Sequence, residues 1–75
     1  MNAIFPVQPH SELAPIEFEV ARTFRGRLWQ FAIEYGEGGI ILLGVAPSYQ
    51  VKQLAQHAVE QKTPLPIVSN EIEVF

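Results

Sequence analysis

The sequence predicts an α+β fold, with two helices packed on one face of a three-stranded sheet, and three observations carry that expectation. Residues 28–35, "LWQFAIEY", run in steps of two, the period of a strand. Residues 40–46, "IILLGVA", follow across the glycine cluster "GEGG", so the two runs read as a hairpin. On either side, residues 11–25 and 48–60 space their apolar positions by three or four, the period of a helix face. With a last alternating run at 67–75 the element order is α-β-β-α-β, a two-layer sandwich.

The opening "MNAIFPVQP" sets two prolines among short apolar stubs, a composition that suits an extended or flexible arm over residues 1–10. Residues 11–75 then form a single domain. In the first helix Ser11 is the expected N-cap, and Leu13, Ile16, Val20 and Phe24 share a face. Pro15 falls in the first turn, where a missing amide costs nothing. Glu12, Glu17 and Glu19 come early and Arg22 and Arg25 late, as the helix dipole prefers. "IEFEV" within it also alternates with period two; the helix reading is preferred over that strand.

Gly26 ends the helix. In the first strand, Trp29, Phe31, Ile33 and Tyr35 are expected on one face and Leu28, Gln30, Ala32 and Glu34 on the other. The glycines at 36–39 supply the reversal, and Ile40 to Ala46 pair back. Ser48 is the expected cap of the second helix, with Val51, Leu54, Ala55, Ala58 and Val59 facing the core. "KTPLP" breaks that helix, and the final strand should turn Val68, Ile72 and Val74 inward and Ser69, Glu71 and Glu73 outward.

This layout leaves one sheet face bare. Ile40 to Ala46 have no polar side, so Ile41, Leu43 and Val45 look away from the helices, with Leu28 and Ala32 expected beside them. A contiguous apolar patch on a small domain marks an interaction site, and these five residues form the candidate protein interface. A chain of 75 residues buries only about 60% of the surface of its unfolded form, and without cysteine it has no disulfide to compensate. A partner surface is the natural supplement, and the bare face is expected to be covered either by the amino-terminal arm or by another subunit.

The net charge of −3 disfavours general nucleic-acid binding, which rests on many cationic contacts to phosphate. No run approaches the roughly 18 apolar residues of a spanning helix, and no signal-type leader opens the chain. The expected compartment is the cytoplasm as the sequence is written, or the periplasm if an export leader has been trimmed away.

The hairpin and last strand resemble the BON domain, a small bacterial module of envelope and osmotic-stress proteins. The resemblance covers about residues 12–75. It rests on Gly38, Ile40, Leu42, Gly44, Ala46 and Ser48, each two apart, and on Val68, Asn70, Ile72 and Val74 at the end. "TPLP" stands where that family often has a glycine, and Glu37 where it usually has Asp. The resemblance implies a non-enzymatic module that binds protein partners or phospholipid membranes, with Gly38, Gly44, Ser48 and Asn70 as its structural motif.

A second candidate surface is "RTFRGRLW", where Arg22, Arg25 and Arg27 sit beside Phe24 and Trp29. Arginine forks fit phosphate oxygens and an indole suits a membrane interface, so Arg22, Arg25, Arg27 and Trp29, with the Gly36 to Gly39 hairpin, are the candidate anionic-lipid contact. Helix-end charge balance explains the same arginines more simply. "YGEGG" precedes a strand rather than a helix and lacks the lysine of a phosphate loop. His10 and His57 have no second His or Cys at ligand spacing, so no metal or other cofactor is expected. Ser11, Ser48 and Ser69 are explained as two caps and an outward strand residue, and the chain has no Cys or Asp. No catalytic constellation, small-molecule substrate or enclosed ligand pocket is therefore expected.

Overall fold

The computed structural model describes residues 12–75; the arm expected over residues 1–10, His10 and the Ser11 cap lie outside the described residues. Five elements follow in the order read from the sequence: α1 (Ala14–Thr23), β1 (Trp29–Gly36), β2 (Gly39–Ala46), α2 (Tyr49–Glu60) and β3 (Ile67–Val74). α1 is shorter than the spacing predicts. It starts at Ala14, with Leu13 at the cap position and no side-chain cap, and Pro15 in the first turn. At its other end the Phe24 N–H still reaches the Val20 carbonyl at 3.1 Å, but Arg25 bonds back only three residues, to Arg22. Gly26, at φ 84°, then turns the chain, and Arg27 N–H closes on the Phe24 carbonyl at 2.8 Å.

β2 is the central strand of the mixed sheet, in the order β1-β2-β3. β1 pairs with it antiparallel through the two-residue loop Glu37-Gly38, whose second position has φ 90° and so favours glycine. β3 pairs with β2 parallel, from Ile40 opposite Ile67 to Ala46 opposite Val74. Parallel neighbours need a crossover, and α2 supplies it. Its start is fixed by Ser48, whose Oγ accepts the Val51 N–H at 3.2 Å.

The core lies between the helices and one sheet face. Leu13, Val20 and Phe24 come from α1 and its ends, and Val51, Ala55 and Val59 from α2. Below them lie Ile40, Leu42 and Ala46 of β2, Ile33 of β1 and Ile72 of β3. Leu54, expected on the core face of α2, is instead 42% exposed. Val51, Ala55 and Val59, at four-residue spacing, are buried, Ala58 packs partly buried against the core as expected, and Leu54 falls outside the stripe.

Asn70 is the polar element of this arrangement. Its Nδ2 donates to the Lys52 carbonyl at 3.3 Å and to Gln56 Oε1 at 3.0 Å, while its Oδ1 accepts the Ile72 N–H at 3.1 Å. One side chain thus ties α2 to β3 and satisfies a backbone group of an edge strand.

Candidate functional site

The open face is organised by a β-bulge that the strict alternation of "LWQFAIEY" does not reveal. Trp29 pairs with Val45 and Ala32 with Leu43, so Gln30 and Phe31 together oppose the single Gly44. Gln30 takes up the extra residue with φ 56°, in the left-handed region. Gly44, at φ 153°, passes so close that an added Cβ would meet the Trp29 carbonyl oxygen at 3.2 Å and Phe31 Cα at 3.3 Å. Glycine fits position 44 because the bulge lies against it.

One inserted residue exchanges the two sides of β1 upstream of it. Leu28, expected on the open face, is in the core at 6% exposure, and Trp29, expected with Ile33, stands on the open face opposite Val45. Ala32, beyond the bulge, keeps its expected place opposite Leu43. β3 has a similar irregularity near its start. Ile40 pairs with Ile67 but Ile41 with Ser69, so Val68, expected inward, is the extra residue and is 47% exposed. Ile67 packs against the core in its place, and Val74, at the other end of the strand, is 44% exposed although its partner Ala46 is buried.

Register then gives the face row by row, since residues paired across strands point to the same side. At the hairpin end Glu34, Ile41 and Ser69 lie side by side; next come Ala32, Leu43 and Glu71; then Trp29, Val45 and Glu73. Beyond the last row the Phe75 N–H bonds to the Ala46 carbonyl at 3.1 Å, and the Phe75 and Trp29 rings approach to 5.6 Å between centroids, tilted by 44°. Ile41, Leu43 and Val45 are each half-buried. The face is an apolar stripe one strand wide, closed at one end by the aromatic pair and flanked by carboxylates. Beside the bulge lies a shallow recess of about 260 Å³ lined by Gln30, Leu43, Gly44, Val45, Glu71 and Glu73.

The arginines are arranged differently from the lipid-contact expectation. Arg22 bonds to Glu19 at 2.7 Å, and the Arg27 guanidinium lies 5.4 Å from the centre of the Phe24 ring. That hydrogen bond, and then the Arg22 charge, holds the Glu19 carboxyl below its ordinary value. The pair therefore supports the fold above the ordinary carboxylate range, and its contribution fades as pH falls through the depressed value. Trp29 is on the sheet face, and the Gly36 to Gly39 hairpin is at the far end of β1, about 23 Å away at roughly 3.3 Å per residue. Arginines and hairpin do not form one edge.

A second groove, about 560 Å³ and also open to solvent, runs between α1 and the free edge of β1, lined by Leu13, Glu17, Ala32, Ile33, Glu34 and Tyr35. Inside it the Glu17 carboxylate accepts the Ile33 N–H at 2.9 Å, covering a backbone donor of an edge strand. The Tyr35 hydroxyl donates to Glu12 at 3.4 Å, and desolvation, then the Glu12 charge, raises its pKa. Ser48 is engaged as a cap and the Ser69 hydroxyl donates to Glu71 at 2.9 Å. His57 lies 3.7 Å from Glu60, and among the described residues no three metal-ligating side chains cluster. None of the described helices is long and apolar enough to cross a membrane.

No protein-family model matches this chain, and comparison with curated proteins and with solved structures finds no match either.

Proposed function

We propose that this chain is a non-enzymatic binding module, BON-like in element order and in the placing of Gly38, Gly44, Ser48 and Asn70, that associates with a protein through its open sheet face. The observation that carries this reading is the stripe of Ile41, Leu43 and Val45 on a face that neither helix covers, ended by Trp29 and Phe75. Water-exposed apolar surface of this continuity gains free energy when covered, and aromatic side chains such as Trp29 and Phe75 are enriched in protein interfaces. The two-sided β2 strand thus has its helices on one side and a partner on the other.

A photo-crosslinking residue at position 43, compared with one at Arg25 and one at the exposed Gln53 of α2, tests this in the cells that make the protein. The expected result is a discrete protein adduct from position 43 and none from 53. Adducts only to phospholipid, and only from position 25, would move the function to the arginine corner. Equal labelling at 43 and 53 would refute the sheet face as the interface.

A further inference from the structure

Charge identifies the kind of protein that the face accepts. We infer, resting on the sheet-face reading above, that the occupant is an amphipathic helix of another protein whose apolar stripe is flanked by Lys or Arg. The three face rows carry Glu34, Glu71 and Glu73 and no basic residue. Among the described residues the two ion pairs, Arg22 with Glu19 and His57 with Glu60, lie elsewhere, so the three face carboxylates have no cationic partner.

A second copy of this chain fits poorly. Two such faces stacked on each other bring six carboxylates and no cation into one interface, between molecules that each carry a net charge of −3. The complementary surface is apolar in the middle and basic at the sides.

The dimensions suit a helix lying along β2. Strands are about 4.8 Å apart, so Glu34 on β1 and the carboxylates on β3 stand about 10 Å apart across the stripe, the diameter of a helix with side chains. Glu71 and Glu73, two apart on one strand, are separated by roughly 6.6 Å, close to the 6 Å rise between helical residues four apart. The recess beside the bulge adds a specific receptor: a lysine stem can lie on Leu43 and Val45 with its ammonium between Glu71 and Glu73. Glu34 is in the row nearest the hairpin and Glu71 and Glu73 are in the rows beyond it, so the partner's basic residues are staggered on its two flanks.

Two model peptides test this by two-dimensional NMR on the labelled chain: a helix with a leucine stripe and lysine flanks, and the same stripe with glutamate flanks. The lysine peptide is expected to move the amides of Leu43, Val45, Glu71 and Glu73. Its affinity should fall roughly tenfold or more in Glu71→Lys/Glu73→Lys and again in about 0.5 M salt, with Glu71→Gln/Glu73→Gln as the milder variant if the reversal disturbs folding. Equal binding of both peptides at the face, insensitive to salt, overturns the charge selection and leaves the sheet-face interface standing. No movement at the face with either peptide overturns the inference as well, and the crosslinking result then decides separately whether the face binds anything.

Discussion

At the scale of single residues the molecule turns on Gln30 and Gly44. Gln30 holds φ 56° where a side chain is disfavoured, and Gly44 holds φ 153° with the neighbouring backbone pressed against its Cα. Such a conformation costs a non-glycine residue on the order of 1–3 kcal/mol. Gln30→Gly is therefore expected to stabilise the chain by about 1 kcal/mol, and Gly44→Ala to destabilise it by roughly 1–3 kcal/mol, both read from urea denaturation. If Gly44→Ala is neutral, the bulge does not require glycine. Position 44 was legible in the sequence as a motif glycine, but the position opposite was not. Gln30 carries no mark of a positive φ, since glutamine is not a turn residue, and the alternation around it looks unbroken. For that reason strict alternation puts Leu28 and Trp29 on the wrong sides, while Ala32, Ile41, Leu43 and Val45 stand on the face that it predicts.

At the scale of elements, one side chain from a helix and one from the sheet attend to the two edge strands. Glu17 of α1 takes the Ile33 N–H of β1, and on the other edge Asn70 takes the Ile72 N–H of β3 while holding α2. Asn70→Ala removes three hydrogen bonds and leaves an edge amide without its acceptor, so a loss of about 1–3 kcal/mol is expected. Asn70→Asp separates the roles, since it keeps the acceptor for Ile72 and loses the donors to α2. Amide exchange should then stay slow at Ile72 and quicken in α2; equal exchange in both variants would show that the two bonds do not act separately. The type and order of all five elements were legible from periodicity because apolar residues recur at helix or strand spacing over most of each run, although the irregularities in β1 and β3 change which of them are buried. The limits of α1 were not, for its ends are set by Pro15, Gly26 and backbone bonds rather than by the apolar pattern.

At the scale of the whole molecule, β2 divides the chain's stability from its binding. Leu42 is fully buried under the helices, and Leu43, its neighbour and chemical twin, is half-buried on the other face. A domain of 75 residues has a stability of about 4–11 kcal/mol, at roughly 0.05–0.15 kcal/mol per residue. Leu42→Ala, expected to cost about 2–5 kcal/mol, should consume much of it, whereas Leu43→Ala should cost about 1 kcal/mol or less and act on partner binding. Equal losses in urea denaturation would mean that the open face is part of the folding core. The strand order that separates these roles was not readable from the sequence, because parallel pairing of β3 with β2 depends on how α2 crosses the sheet. The bulge at Gln30 adds a last condition. β1 works like a reading frame: with every residue kept and the bulge straightened out, Trp29 would slide from Val45 to Ala46 and be read into the core and Leu28 out to solvent, whereas deleting Gln30 would only remove the extra letter and leave both on their present sides. The side on which Trp29 stands is thus set by the bulge and not by its own identity, and a change that abolished the bulge while keeping every residue would erase the aromatic end of the binding stripe without altering any residue that forms it.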